Sequence, residues 1–238
     1  MPTDTFGTIL AIWTHPDDEI LLSAGIMSLA ARDGHRVVSI VATKGEQKSW
    51  RDKFKPLSPL GNVREQELLA ALAILGIKEH KTLGYVDGKC NEVNDQEAGS
   101  KIAAIIRDVN PDTVLTFGPD GLTGDPDHQA ISRWVKLAFD SAGKPGANLY
   151  YATLSTDWTT KYLPKLKAFN FFLPGFPHAV PTENLVINFS IPQDILSSKM
   201  DALSANTSQI GAMLAYFGRD TIKNAMATES YVLGATHP

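Results

Sequence analysis

The chain has 238 residues, enough to bury a sizeable core, and its 43% hydrophobic and 20% charged residues are ordinary for a globular protein. A formal net charge of −4 gives no global attraction to nucleic acid or an anionic membrane surface, and no stretch approaches the ~20 apolar residues of a membrane span. The single cysteine, Cys90, excludes an internal disulfide, and no basic leader precedes the first apolar run, so a cytoplasmic setting is expected.

That run, Ile9 to Thr14, stops at His15-Pro16-Asp17-Asp18-Glu19. Pro16 cannot donate a ladder hydrogen bond and holds the residue before it extended, so a strand ends there. Proline also suits the first turn of a helix, and three acids favour the positive end of the helix dipole. Ile20, Leu21, Ala24, Met27, Leu29 and Ala30 then recur at helical spacing. Taken alone, the acids could be dipole partners and no more. A histidine directly before the proline points further, because open α/β sheets bind ligands at the carboxyl edge of their strands. His15 and Asp18, three residues apart, share one side of a turn and can reach one ion, which leaves Asp17 free beside it.

The stretch resembles the His-Pro-Asp-Asp-Glu signature of the LmbE-like (PIG-L) family, metal-dependent deacetylases of N-acetylglucosamine conjugates. The resemblance implies an α/β fold with a Rossmann-like, mostly parallel sheet flanked by helices on both faces, and a single domain over residues 1–238.

Gly34 ends the first helix, and His35–Thr43 is a β-branched second strand, completing a βαβ unit. Lys44–Leu60 reads as a polar loop with Trp50, Pro56 and Pro59, of the kind that walls a pocket. A helix is predicted over Asn62–Leu75, with Asn62 as N-cap and Leu68, Leu69, Leu72 and Leu75 on one face. By spacing, Arg64 and Glu67 form an i,i+3 pair; the family's similar Arg-x-x-Glu implies that Arg64 reaches the substrate's sugar. Lys81–Gly88 reads as a short strand running into a turn. Asp87 before Gly88 is by itself a turn former, and the likeness to Leu-Gly-x-x-Asp-Gly implies that it binds substrate hydroxyls.

Glu97–Val109 is an amphipathic helix and Asp112–Phe117 a buried strand. Gly118 to His128 follows as a Gly/Pro loop rich in acids, and Ile131, Trp134, Val135 and Ala138 mark one side of the next helix. The family's counterpart is His-Pro-Asp-His, whose last histidine is the third metal ligand, matched by His128. Asp125 stands where the first histidine would be. A carboxylate donates to an oxyanion only when protonated, so Asp125 either stays neutral beside Asp127 or contacts substrate, the leaving amine or a second metal.

A strand is expected at Leu149–Leu154, within an otherwise irregular, aromatic and proline-rich Ser141–Pro181 that reads as a structural excursion or a lid. Asn184–Phe189 is expected to be the final strand and Pro192–Leu214 a helix. Lys199–Gln209 resembles the family's Lys-x-x-Ala-Leu-x-x-His-x-Ser-Gln, with Asn206 for the histidine; Glu229-Ser230-Tyr231, assigned to a last helix or loop, resembles its closing Glu-x-Phe.

His15, Asp18 and His128 form a donor set suited to Zn²⁺ with an open position, and Fe²⁺ could take the same donors. The implied catalytic residues are Asp17 as general base with Asp125 and Asp127; Arg64 and Asp87 bind substrate. The expected partner is a small acetylated amino-sugar conjugate, with no nucleic acid and no membrane, and a homo-oligomer is compatible with this. Two other readings stand beside it: the same metal site acting on a different amide, and a non-catalytic sugar or nucleotide binder. The second lacks a phosphate cradle, since no Gly-x-Gly-x-x-Gly or Walker loop follows any strand.

Overall fold

The computed structural model describes residues 6–46, 59–166 and 169–238; Trp50 and Pro56 of the expected pocket loop lie outside them. Three strands are mostly apolar and wholly buried: β1 (Ile9–Trp13), β2 (Val37–Val41) and β4 (Thr113–Phe117). Strands buried on both faces belong at the centre of a parallel sheet. They sit there, in a seven-stranded sheet of order β3-β2-β1-β4-β5-β7-β6 that adds β3 (Glu79–Thr82), β5 (Asn148–Thr153), β6 (Ile187–Ser190) and β7 (Thr228–Thr236). The first five strands of that order run parallel, and β7 is antiparallel to both its neighbours.

Helices cover both faces. On one, α4 (Asp95–Val109) packs on α5 (Pro126–Ala142), which also touches β1 and β4. A second group comprises α1 (Asp18–Leu22), α2 (Ala24–Arg32), α3 (Pro59–Ile74) and α7 (Gln193–Ala205), all three of the others packing on α7. The chain leaves β1 towards β2 on one side, while β4 pairs with β1 on the other. Such a reversal opens a crevice at the carboxyl ends of these two strands.

Several elements differ from expectation. The first helix is broken at Ser23, whose hydroxyl accepts from Trp13 Nε1 (3.1 Å) and donates to the Glu19 carbonyl (2.9 Å). Asn62 is not a cap, because α3 already begins at Pro59, where a missing N–H costs nothing. The third strand lies two residues earlier than Lys81 and alternates in exposure, as an edge strand should. Inside the supposedly irregular Ser141–Pro181 lies α6 (Thr156–Leu166), held by buried Tyr162 and Leu166 and tolerating Pro164 near its end. Asn184 belongs to a short 3₁₀ turn ahead of β6, and the final strand is β7, which carries Glu229 and Tyr231. The long C-terminal helix is two, α7 and α8 (Thr207–Phe217), parted at Asn206; the short α9 (Arg219–Ala225) follows. No described helix is long and apolar enough to cross a membrane.

Two charges buried on these last elements fix the first ones. Lys199 and Glu229 are fully enclosed and meet at 2.7 Å. Glu229 also accepts the N–H groups of Gly25 (2.7 Å) and Ile26 (2.9 Å) at the start of α2, and Lys199 donates to the Leu21 carbonyl (3.1 Å) at the end of α1. Tyr231 Oη donates to the Leu22 carbonyl (2.6 Å). The break between α1 and α2 is thus capped from both directions. Breaking a buried pair strands one charge in a dry interior. We expect Lys199→Met to cost about 3–5 kcal/mol in denaturant unfolding; a loss below about 1 kcal/mol would show the pair to be ornamental.

Candidate metal centre

The turn after β1 is held by its own acids. Asp18 Oδ2 accepts the backbone N–H groups of Thr14 (3.2 Å) and His15 (2.8 Å). Asp17 takes φ 126° and ψ −31°, a conformation side-chain-bearing residues rarely adopt and one costing of order 1–3 kcal/mol. The buried Glu19 supports it, accepting the Asp17 N–H at 3.2 Å. Burial, then the charge of Asp17, pushes the Glu19 carboxyl well up.

This turn sets His15 and Asp18 opposite His128 on the first turn of α5, where Asp125 caps the helix and Pro126 opens it. His128 Nε2 lies 3.2 Å from His15 Nδ1 and 3.8 Å from Asp18 Oδ2, and His15 Nδ1 is 3.7 Å from the same oxygen. All three residues are buried. The far nitrogen of each ring is spoken for. His15 Nε2 donates to Asp87 Oδ1 (2.9 Å), and His128 Nδ1 donates to the Gly121 carbonyl (3.1 Å), with Thr123 Oγ1 also at 3.1 Å. Those partners fix the tautomers, so both remaining lone pairs face the same point. Phe117 stacks on the His128 ring at 4.1 Å.

A tetrahedral zinc with bonds of about 2.0–2.1 Å spaces its donors about 3.3 Å apart. The separations of 3.2–3.8 Å fit a small divalent cation, with room for further ligands on the open side. Electrostatics agree. Burial opposes charge on His15, yet Asp87's hydrogen bond and charge outweigh it and lift the imidazole to about 9, whereas burial lowers His128. A cation entering here competes with a proton. A second trio, His15, Asp87 and Asp127, has a similar span. Its carboxylates are committed, since Asp127 accepts from Gly88 N (2.6 Å) and Cys90 N (3.1 Å) and Asp87 from His15.

The remaining expected residues separate into two groups. Asp17, Arg64 and Asp125 line a cavity of about 260 Å³ together with His15, Asp18 and His128. Burial, then the charge of Asp18, pushes Asp17 up to about 7 against the pull of Arg64 and His15. Arg64, 2% exposed, donates through Nη1 to the Gly45 carbonyl while its Nε and Nη2 find no partner among the described residues; burial lowers its pKa. Gly45 is a glycine for a reason: at φ 66°, any Cβ would fall on the Arg64 guanidinium. Asp125 accepts the Asp127 N–H (2.9 Å), as a helix cap does.

Asp87 and Asp127 do not line the cavity. Asp87 is fully buried behind His15, and its carboxylate lies on the imidazole. Asp127, 1% exposed, braces the Gly88–Cys90 loop. Glu67 turns to the start of α8, accepting from Ser208 N (2.9 Å) and Ser208 Oγ (2.5 Å). Cys90 is buried and its thiol is pushed up by burial, then by Asp127. Sequence reasoning missed Thr123, Gly121 and Gly45, whose contributions are a hydroxyl, a carbonyl and an absent side chain. Asp87→Ala should therefore weaken Zn²⁺ about tenfold to hundredfold in a chelator competition, because its loss frees the ring's tautomer and orientation. Unchanged affinity would mean His15 needs no such support.

The PIG-L family model, GlcNAc-PI de-N-acetylase, matches residues 10–139 of the 238, a stretch that contains every residue named at the triad. A 1D-myo-inositol 2-acetamido-2-deoxy-alpha-D-glucopyranoside deacetylase 2 of Catenulispora acidiphila is 28% identical over 252 residues, covering 88% of this chain and 82% of the relative. A probable N-acetyl-alpha-D-glucosaminyl L-malate deacetylase 2 of Bacillus cereus is 30% identical over 209 residues, covering 87% and 85%. The crystal structure of the zinc-inhibited form of teicoplanin deacetylase Orf2 superposes with a TM-score of 0.67 at 18% identity, covering 95% of this chain and 98% of that one, a likeness of fold.

Proposed function

This chain belongs to the PIG-L family, and from that premise we propose that it hydrolyses the N-acetyl amide of a GlcNAc-type conjugate. Water adds its oxygen to the carbonyl carbon, the C–N bond breaks, and the electron pair leaves with nitrogen, which takes a proton. The products are acetate and a primary amine.

His15, Asp18 and His128 would hold the metal, Zn²⁺ in our reading, with Fe²⁺ accepting the same donors. When bound, such an ion supplies Lewis acidity for the carbonyl and lowers the pKa of water towards ~7. Asp17 takes the proton of the attacking water and returns it to the leaving nitrogen. Its strained backbone turns the carboxylate into the cavity beside the triad, and its pKa near 7 suits both directions. Arg64 offers its Nε and Nη2, which have no partner among the described residues, to the sugar's hydroxyls. Asp87 acts through His15, and Asp127 through the loop it braces. Asp125 caps α5 and presents its carboxylate at the cavity wall, where it can accept from the departing ammonium. The single cysteine fits a reducing, cytoplasmic setting for this reaction.

The observation that carries this reading is the pair of imidazole nitrogens 3.2 Å apart, drawn from opposite ends of the matched segment and met by one carboxylate. The test is primary-amine release over a panel of N-acetylglucosamine conjugates, with Zn²⁺ and Fe²⁺ supplied in turn. Asp17→Asn should retain metal and lose about 10²–10⁴-fold in kcat, the usual worth of a general base. An Asp17→Asn protein of normal rate removes it from that role, and silence across the whole panel removes the substrate class.

A further inference from the structure

The cavity beside the triad has two unlike ends. Towards β2, Arg64 lies against the loop after that strand, and its free donors make this end polar. In the other direction, past the ends of β4 and β5, the cavity runs under α6, α8 and α9, where Leu21, Trp158, Leu166, Phe171, Met213 and Met226 form its walls. The indole N–H of Trp158 is taken up by the Ala225 carbonyl at 2.7 Å. Tyr162 Oη donates to the neighbouring Asn224 carbonyl (3.0 Å), so α6 and α9 are tied together as a single roof. Two methionines give the walls the adaptable surface that accepts flexible apolar groups.

We propose that this chamber receives the acyl side of the scissile amide, and that the enzyme accepts medium-length apolar acyl chains as well as acetyl. The inference rests on the amide-hydrolase reading above. An amide carbonyl held at the triad has two substituents that leave in opposite directions. A polar amine such as an amino sugar needs the hydrogen-bond donors of the Arg64 end, which leaves the acyl group to the apolar end. Size agrees with this assignment. A 150 Å³ apolar cavity holds a benzene ring, and the cavity as a whole, triad and Arg64 end included, is about 260 Å³, so its apolar part has room for several carbons where an acetyl methyl would fill little of it. The reaction balances as before: water and R–CO–NH–R′ give R–COO⁻ and R′–NH₃⁺, with R now a hydrocarbon chain.

The test uses the full chain supplied with Zn²⁺ and two substrate series. One holds the amine as glucosamine and lengthens the acyl group from acetyl through butanoyl and hexanoyl to octanoyl, read as amine release. The other holds acetyl and lengthens an alkyl amine, read as acetate release. We expect kcat/KM to climb about two- to fourfold per methylene in the first series up to hexanoyl or octanoyl, the usual gain for burying a CH₂, and to stay flat in the second. Met213→Trp, which fills the chamber, should lower kcat/KM for the octanoyl substrate at least about tenfold, with the change in KM. Turnover of the acetyl compound with no gain on lengthening would overturn the acyl assignment and leave the deacetylase reading standing. A climb confined to the amine series would assign the chamber to the amine and overturn it equally. If no amide is cleaved, the functional reading fails, and calorimetry still decides the chamber: octanoate must bind at least about thirtyfold more tightly than acetate, and equal binding refutes the proposal.

Discussion

Two imidazole lone pairs cannot rest 3.2 Å apart in a buried pocket without a cation or a proton between them. Everything around the triad enforces that otherwise unfavourable arrangement. Asp87 pins one ring from behind and the Gly121 carbonyl pins the other. Asp18 brings the compensating charge while also closing its own turn through two backbone N–H groups. Neither ring can rotate away without stranding a buried donor. The arrangement is built in advance to bind a cation, and its cost falls on the fold.

That cost is met at a distance. The residues come from segments 113 positions apart, and they converge because β1 and β4 are neighbours whose connections leave to opposite sides. The turn that carries His15, Asp17 and Asp18 is followed at once by a broken helix, and the break is stabilised by Lys199 and Glu229 from the other end of the chain. The closing Lys and Glu motifs are therefore structural supports of the first motif. A buried ion pair makes an uneven support, of small net worth while intact and heavily destabilising when broken.

Much of this was legible in the sequence where the governing physics is local. An apolar run stopped by His15-Pro16 and followed by acids specifies strand, turn and helix within a dozen residues, and Asp125-Pro126 before His128 repeats the pattern. Local reading failed where tertiary contacts decide. In β7 the inward positions include Glu229, a charge where alternation requires an apolar residue, and the pairing slips beside Gly234, whose bare Cα lies against the Tyr151 ring. Pro164 reads as a helix breaker, but so near the end of α6 it breaks little. Asp87 before Gly88 has the signature of a turn, and only the fold reveals that its carboxylate ends on His15.

The most direct measurement of the central claim is anomalous diffraction at the zinc edge from crystals grown with Zn²⁺. The account predicts one strong peak at about 2.0–2.1 Å from His15 Nδ1 and His128 Nε2, with Asp18 as the third protein donor. A peak on the opposite side of the His15 ring, between Asp87 and Asp127, or none at saturating zinc, would contradict it.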